Sequence, residues 1–333
     1  MINIKTTFIG PRLVSFFGKE TIGGGTVLFE NAILEIEKEH KIININGDSK
    51  WVFKKLLFNL ILFSKYLLIN PHHKILFVAH RQAIIFIIID FFHRKNVTYR
   101  LIGGNFDYWF KSPIVKYLLK KNSKNYTFYC ELPMDVSFFK KFGINSYVQE
   151  NFRCLNKSNI VFNSKKLNSV YITIGFIGRV TGEKGIFEFI ELAKLSKSNN
   201  FIIAGPFENK EEKSSILKCI DQVENLSYIG IINSTKINEF FDQIDLLFFH
   251  SNHKGEGKPG VLIESLLSKT PVLTNYRVEC SNWNYFYENN YITLTNDYEE
   301  SLKNPELINN TFSDQKLELF SAKFCVNQIL KNN

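Results

Sequence analysis

Cysteine, methionine and tryptophan are scarce in this sequence of 333 residues, and proline occupies only 8 positions. The five cysteines are odd in number and lie far apart, at positions 130, 154, 219, 280 and 325. No C-x-x-C pair is present, which excludes the usual zinc and thiol redox motifs. The P-loop signature of NTPases is also missing. We therefore expect a protein of the reducing cytoplasm without a bound metal.

Long apolar runs and an export signal are missing too. Met1–Ile9 has the pattern of a short strand and lacks a charged segment followed by a long apolar one. The two most apolar stretches, Leu56–Ile69 and Ala83–Phe92, are interrupted by Lys65 and Asp90. Each is shorter than the roughly 18 apolar residues of a membrane-spanning helix. We expect a cytoplasmic protein that is soluble or bound peripherally at the inner membrane face.

Basic residues are concentrated in the first half of the chain. Residues 1–155 contain 22 Lys and Arg against 11 Asp and Glu, whereas residues 156–333 contain 19 against 21. This asymmetry indicates an anionic partner for the first half, such as a membrane surface or a lipid phosphate. A general compositional bias explains the same excess, and the sequence leaves both explanations open. No nucleic-acid partner is expected, because the basic half carries no recognised motif.

The second half alternates between short apolar strands and helices, an order that is typical of a parallel sheet with helices on both faces. The predicted strands are Val170–Ile177, Phe201–Ala204, Leu226–Ile229, Leu246–His250 and Pro271–Thr274. The predicted helices are Gly185–Ser196, Lys210–Val223, Thr235–Gln243 and Gly260–Ser268.

The first half repeats this alternation, with strands at Ile4–Ile9, Lys41–Asn46, Lys74–Ala79 and Thr98–Ile102 and helices at Gly25–Glu39, Lys50–Leu68 and Ile84–Arg94. We predict an α/β protein with an N-terminal Rossmann-like domain at 1–155 and a second one at 156–312. A closing helix within 313–333, at Gln315–Leu330, is expected to pack toward the N-terminal domain. Doubly wound sheets bind ligands at the carboxyl ends of their strands, so we expect the two domains to face each other across a cleft.

Glu256 and Glu264 lie on either side of a predicted strand-to-helix turn. Glu256 follows the strand that ends near His250, and Pro259 favours a helix start whose free N–H groups attract an anion. Glu264 lies one turn after Gly260, where an acceptor-only side chain suits a pair of sugar hydroxyls. A glutamate that only complements the positive helix end is the simpler alternative.

Arg179 and Lys184 form a second candidate site, after the strand Val170–Ile177 and before a helix. Both cations can reach one anion, Arg through its planar fork and Lys as a point charge, as a diphosphate requires. Two solvated cations in a surface loop are the alternative.

These motifs together resemble the nucleotide-sugar domain of glycosyltransferase family 4, whose members are retaining, metal-independent enzymes of the GT-B fold. The resemblance runs from Ile174 to Asn275. Gly178-Arg179 through Lys184-Gly185 is similar to the family's diphosphate clamp, Ala204-Gly205-Pro206 to its next strand end, and Glu256 with Glu264 to its E-x7-E signature. Lys269 stands where a Gly is usual, and Gly257-Lys258-Pro259-Gly260 replaces the common G-F-G.

The resemblance implies a role for each of these residues. Arg179 and Lys184, with Gly260 and Val261 at the helix start, would bind the donor diphosphate, and Glu264 the ribose. Glu256 would contact the donor sugar near its reacting carbon and is the candidate catalytic residue. Lys258 either adds charge near the phosphates or faces solvent.

The N-terminal half resembles the family only at two glycine-rich turns. Gly23, Gly24 and Gly25 fall at the first strand-to-helix turn, where glycines let backbone approach the donor or the acceptor. Gly103 and Gly104 belong to a loop that often reads His-Gly-Gly in relatives, and Ile102 takes the place of that His. Neither His80 nor Asp107 can be given its role from the sequence.

The resemblance implies a glycosyltransferase that uses a UDP- or GDP-sugar and no cofactor or metal, and no D-x-D is present to hold one on a diphosphate. Its acceptor would be a glycan, in particular a lipid-linked oligosaccharide of bacterial surface polysaccharide. Lys50–Ile69 and Ile114–Lys121 are candidates for contact with an anionic membrane, with burial in the core as the alternative for the first. A nucleotide-sugar epimerase and a non-catalytic GT-B-like binding protein remain open as alternatives.

Overall fold

A computed structural model describes residues 6–15, 24–36, 40–46, 66, 74–93, 96–103, 110–154, 171–208, 210–233, 236–252, 256–277, 281–304 and 314–331. The chain divides into two compact units. Unit 1 comprises Met1–Cys154 with Leu319–Asn333, and unit 2 comprises Leu155–Glu318. The first boundary lies one residue from the predicted one, whereas unit 2 continues six residues beyond the predicted end at 312.

Unit 1 contains a six-stranded parallel sheet in the order β2-β1-β3-β4-β5-β6. Its strands are β1 (Thr7–Gly10), β2 (Lys41–Asn44), β3 (Lys74–Ala79), β4 (Val97–Ile102), β5 (Tyr126–Cys130) and β6 (Asn145–Val148). Alternate residues of β3 enter different cores, Ile75 and Phe77 one and Leu76 and Val78 the other. Both faces of the sheet are therefore buried, as the apolar strands predict.

The described helices of unit 1 are α1 (Gly24–Leu34), α2 (His80–His93), α3 (Pro113–Lys121) and α4 (Pro133–Lys140). Helices α3 and α4 each start at a proline, a residue that needs no hydrogen-bond acceptor at the first position. The predicted helix Lys50–Leu68 lies outside the described residues except for Tyr66. Sequence reasoning assigned no element to β5, α4 or β6.

Unit 2 contains a second six-stranded parallel sheet in the order β12-β11-β10-β7-β8-β9. Its strands are β7 (Thr173–Ile177), β8 (Asn200–Ala204), β9 (Leu226–Tyr228), β10 (Leu246–Phe249), β11 (Val272–Thr274) and β12 (Ile292–Leu294). The described helices are α5 (Ile186–Leu195), α6 (Lys210–Ile220), α7 (Ile237–Phe241), α8 (Gly260–Leu267), α9 (Ser281–Glu288), α10 (Tyr298–Lys303) and α11 (Asp314–Leu317). The predicted α/β class with two doubly wound sheets is confirmed.

The predicted single helix Gln315–Leu330 is wrong, because the chain breaks at Ser321. Arg153 N donates to Phe320 O, and Ala322 N donates to Arg153 O, both at 2.9 Å. The backbone groups of Phe320 and Ala322 therefore bond to Arg153 and not to residues of their own helix. The final helix, α12 (Ala322–Lys331), starts after Ser321, whose Oγ accepts from Phe324 N at 3.1 Å.

Helix α12 belongs to unit 1 and packs against α1. Cys325, Val326 and Ile329 share one buried cluster with Leu28 and Phe29. The C-terminus of the chain thereby completes the core on one face of the first sheet.

Candidate functional site

A recess lies in unit 2 at the carboxyl ends of β7 and β10, where the strand order of the sheet reverses. Open α/β sheets bind ligands at such a switch point. The recess has a volume of about 120 Å³. The five residues that the sequence predicts for the diphosphate and for catalysis all line it, namely Arg179, Lys184, Glu256, Gly260 and Val261. The fold thus brings two separate sequence motifs to one point.

Lys184 and Glu256 form an ion pair on the wall of the recess. Lys184 Nζ donates to Glu256 Oε2, and the two side chains are only 14% and 15% exposed. Ser251 Oγ donates to the same oxygen at 2.8 Å and accepts from Lys184 Nζ at 3.3 Å. Such charge-assisted bonds hold the three groups together. The positive charge of Lys184 is balanced by this carboxylate.

Arg179 is paired with a different carboxylate. Its Nη1 donates to Glu208 Oε1, and both side chains are almost half exposed. An ion pair at this exposure contributes about 1 kcal/mol or less to stability. An anionic ligand can therefore replace Glu208 at small cost.

The turn that carries Arg179 packs backbone against backbone on the turn after β8. Val180 N donates to Pro206 O at 2.9 Å. Gly205 has φ +136°, and a Cβ there would lie 1.7 Å from the carbonyl oxygen of Gly178. Only glycine allows this approach. The Ala-Gly-Pro sequence at the end of β8 is thus a support for the position of Arg179.

Gly185 has a similar function beside Lys184. Its φ is +79°, between a short 3₁₀ turn at Gly182–Lys184 and the start of α5. A Cβ at Gly185 would lie 2.3 Å from the Cβ of His250, which follows β10 and lines the recess. The glycine therefore lets the Lys184 turn pack directly on His250.

His250 is held as a neutral imidazole. Nε2 faces the amide nitrogen of Asn252 at 3.0 Å, and Nδ1 lies 2.8 Å from the hydroxyl of Tyr298. An amide donor at Nε2 requires the proton on Nδ1, which then donates to Tyr298. Burial lowers the pKa of His250, although the Glu188 carboxylate, 3.7 Å from Nε2, opposes the shift. The lowered pKa favours the neutral form of the ring.

Helix α8 begins at Gly260, with Pro259 outside it at the N-cap. Pro259 has φ −60° and an extended ψ of 130°, so it precedes the helix, and Gly260 is the first helical residue, as the sequence predicts. The cap has no side-chain hydrogen bond. The first amides of α8 receive no acceptor from the cap residue, which is the condition under which a helix start binds an anion.

Lys258 and Glu264 flank this helix start. Lys258 is 1% exposed, so the interpretation that it faces solvent is wrong. Glu264 is half-buried on α8 and is not among the residues that line the recess. Glu264 thus lies about one helical turn after Gly260 on α8, outside the residues that line the recess.

The end of α8 explains the glycine preference of relatives at Lys269. Thr270 N donates to Ser265 O at 3.0 Å and Lys269 N to Leu266 O at 3.1 Å, the hydrogen-bond pair of a Schellman motif. Lys269 itself has φ +55°, in the left-handed region that favours glycine. The backbone of Lys269 is therefore strained in a conformation that glycine would adopt without strain.

The part of the chain that contains the recess is similar to known proteins. Residues 158–300 match the family model described as "Glycosyl transferases group 1". The match covers somewhat less than half of the chain and includes every residue that lines the recess. A protein in the cps region of Klebsiella pneumoniae is 26% identical over 256 residues, which are 74% of this chain and 60% of that relative. The chain thus spans about 60% of the length of the curated relative that it matches.

Solved structures show the GT-B fold over nearly the whole chain. HepE of Anabaena in complex with UDP has a TM-score of 0.66 and 12% identity and covers 99% of both chains. A glycosyltransferase of Rickettsia africae has a TM-score of 0.65 and 16% identity, over 99% of this chain and 98% of its own. Sucrose-phosphate synthase of Thermosynechococcus elongatus has a TM-score of 0.66 and 9% identity, over 98% of both chains.

All residues that line the recess lie within the matched range 158–300, and the loop after β10 differs from a dinucleotide-binding turn. The glycines at 255, 257 and 260 have the G-x-G-x-x-G spacing of dinucleotide-binding turns. In that motif the glycines follow the strand directly in a tight turn. Here β10 ends at Phe249 and α8 starts at Gly260, so a longer loop separates them and carries Glu256 into the recess.

The predicted glycine sites of unit 1 are only partly described. Gly24 is the first residue of α1, and a Cβ on Gly25 would lie 3.4 Å from Ile102 Cδ1. Gly103 has φ +92°, and its N–H donates to the Glu131 carboxylate at 3.1 Å. Gly23, Gly104 and Asp107 lie outside the described residues. The structure therefore brings the first glycine turn next to Ile102.

Sequence reasoning missed His250 and Ser251 as site residues. Both directly follow a buried strand at the switch point, and this position is the signal that could have revealed them. Among the described residues no cluster of three His, Cys, Asp or Glu side chains could hold a metal ion. No helix in the described part of the chain has the length and apolar character to cross a membrane.

Proposed function

We propose that the protein is a retaining glycosyltransferase that moves a sugar from a UDP- or GDP-sugar to a hydroxyl group of a glycan acceptor. The observation that carries the proposal is the convergence of Arg179, Lys184, Glu256 and the start of α8 on one recess of a group 1 domain. HepE, which has the same fold, is solved with UDP and with UDP-glucose.

The diphosphate of the donor would occupy the recess. Ligand pockets for whole drug-sized molecules have volumes of roughly 300–1,000 Å³, so a recess of 120 Å³ suits this part of the donor and leaves the base and ribose outside. Arg179 and Lys184 would neutralise the charge that develops on the β-phosphate when the sugar bond breaks. Amides at the start of α8 add to this, and the reaction then needs no metal on the diphosphate.

The two glutamates would have separate functions. Glu256, held by Lys184 and Ser251, would lie beside the diphosphate and contact the donor sugar near its reacting carbon. Glu264 would bind the ribose hydroxyls outside the recess, one helical turn farther along α8. The retention of configuration rests on the family resemblance.

The acceptor would be a lipid-linked oligosaccharide in bacterial surface-polysaccharide synthesis, such as capsule, O-antigen or exopolysaccharide. The similar Klebsiella protein is encoded in a cps region, which supports this pathway. The reaction would take place in the cytoplasm, at the inner face of the membrane.

A donor panel tests the proposal. The purified protein is incubated with UDP- and GDP-sugars, with and without glycan acceptors, and saturable binding and product are measured. Lys184→Ala and Glu264→Ala should abolish turnover, whereas Lys197→Ala, an exposed control on the same unit, should retain it. Conversion of the donor without an acceptor would instead indicate an epimerase, and binding of glycan without any donor would indicate a non-catalytic protein.

A further inference from the structure

The turn that follows β11 lies beside the loop that carries Glu256. Strands β10 and β11 are neighbours and pair in parallel, with Phe249 opposite Thr274 at their carboxyl ends. The residues that follow these two strands therefore meet at one edge of the sheet. Tyr276, two residues beyond β11, reaches the loop, where its hydroxyl lies 3.0 Å from Glu256 O and 2.7 Å from Gly257 O. The hydroxyl proton thus bonds the main chain next to the Glu256 side chain.

Tyr276 is itself held on several sides. Its N–H donates to Thr274 Oγ1 at 2.9 Å, and its carbonyl oxygen accepts from the hydroxyl of Tyr287 on α9 at 3.2 Å. Its ring meets the ring of Phe249 edge to face, and the two centroids are 6.1 Å apart. A tyrosine side chain has few rotatable bonds, so these contacts fix the position of its hydroxyl.

The position of Glu256 depends on hydrogen bonds, because no helix or strand contains this residue. It lies in the loop between β10 and α8, and Gly257 follows it. Its carboxylate nevertheless accepts from Lys184 and Ser251 at the recess. The N–H of Ser251 in turn donates to Asn275 Oδ1 at 3.1 Å. The two residues after β11 thus hold both the main chain at Glu256 and the serine that binds its carboxylate.

We propose that Tyr276 is a positioning residue for Glu256. Its hydroxyl holds the loop where the Glu256 carboxylate remains on Lys184, at the wall of the recess. Such positioning matters for a reacting group, since a displacement of about 1 Å can lower a rate about 100-fold. The expected effect on transfer rests on the proposed function, whereas the expected effect on the ion pair of Lys184 and Glu256 does not.

Tyr276→Phe tests the proposal, because it removes the hydroxyl and keeps the ring against Phe249. Without the hydroxyl, Glu256 should bind Lys184 less firmly, and a nucleoside diphosphate then competes more easily for Lys184. UDP or GDP binding should therefore tighten about twofold to threefold in calorimetry, the size expected from one hydrogen bond. The kcat of transfer should fall about tenfold while KM for the donor does not rise. A general loss of structure would instead weaken nucleotide binding.

Two matched variants separate this effect from the loss of any tyrosine hydroxyl. Tyr291→Phe removes a bond of the same kind, to Leu266 O at 3.3 Å, and should change neither binding nor turnover. Tyr287→Phe removes only the bond to Tyr276 O, so it should act in the same direction as Tyr276→Phe by a smaller factor. This second variant keeps the proposal testable if Tyr276→Phe folds poorly, which thermal unfolding would reveal.

A double variant and a pair of crystal structures complete the test. In Glu256→Gln, where Lys184 already lacks its carboxylate, adding Tyr276→Phe should leave nucleotide affinity unchanged. In crystals without ligand, the Glu256 carboxylate should lie on Lys184 in the wild type and be displaced from it in Tyr276→Phe.

The proposal is overturned if the carboxylate stays on Lys184 in Tyr276→Phe, if the gain in affinity persists in the Glu256→Gln background, or if Tyr291→Phe has the same effect. If the wild type binds neither UDP nor GDP, the proposed function fails, and the two crystal structures still decide whether Tyr276 positions Glu256.

Discussion

Lys269→Gly should stabilise the protein, because Lys269 caps α8 in the left-handed conformation. This conformation costs a residue with a side chain roughly 1–2 kcal/mol. Glycine removes that cost but gives the unfolded chain more freedom, which returns roughly 0.4–1 kcal/mol. A net gain of about 0.5–1 kcal/mol remains. For a unit of this size the melting temperature would rise by about 2 °C.

Three further variants separate the backbone effect from other causes. Lys269→Ala also lacks the charge but keeps the strain, so it should give no gain. Lys269→Asn should give an intermediate gain, because Asn tolerates this conformation. Asn290 closes α9 with the same two hydrogen bonds and φ +55°, so Asn290→Gly should be nearly neutral. Urea unfolding measures the series, and an alanine variant as stable as the glycine variant would refute the reasoning.

Three other perturbations test the site and the buried polar groups. Gly205→Ala should displace the Arg179 turn and abolish nucleotide binding in calorimetry, whereas Gly230→Ala, with φ +92° and open space around it, should cost only about 1–2 kcal/mol and leave binding intact. Glu256→Gln removes the partner of Lys184, so it should tighten UDP or GDP binding about fivefold to tenfold while transfer is lost, and unchanged affinity would count against the ion pair as a determinant of binding. Burial, assisted by the Arg100 charge, lowers the pKa of His80 to about 4. The contribution of neutral His80 to the free energy of unfolding is therefore fully present above pH 6.5, and the free energy falls by up to about 3 kcal/mol as the pH drops toward 4. Urea midpoints of the wild type and of His80→Gln check this, and an equal pH slope in both would contradict it.

Much of the candidate site follows from the sequence because its motifs are local. Arg179, Lys184 and Glu256 each follow a strand that strong apolar periodicity identifies, and carboxyl ends of neighbouring parallel strands lie together. The order of the strands in the sheet, however, depends on long-range pairing. Sequence reasoning therefore did not find the pairing of Arg153 with Phe320 and Ala322 that breaks the last helix. His250 was overlooked although it follows the same strand as Glu256.

Besides the order of the strands, the burial of single side chains could not be predicted from the local sequence pattern. Lys258 is a charged residue in a glycine-rich loop, where the sequence suggests exposure, yet its side chain is buried. Helix α3 combines apolar and basic residues, and only the packing of its buried face shows that Ile114 and Tyr117 point away from the core. These outcomes depend on contacts between elements far apart in the chain.

The most direct test of the central claim is the affinity of the recess for a nucleoside diphosphate. Isothermal calorimetry with UDP and with GDP would be done on the wild type, Lys184→Ala and the control Lys197→Ala. The wild type should bind one of the two nucleotides, and the control should bind that nucleotide with the same affinity as the wild type. Lys184→Ala should bind it at least tenfold more weakly. Equal affinity of Lys184→Ala, or no binding of either nucleotide to the wild type, would contradict the account.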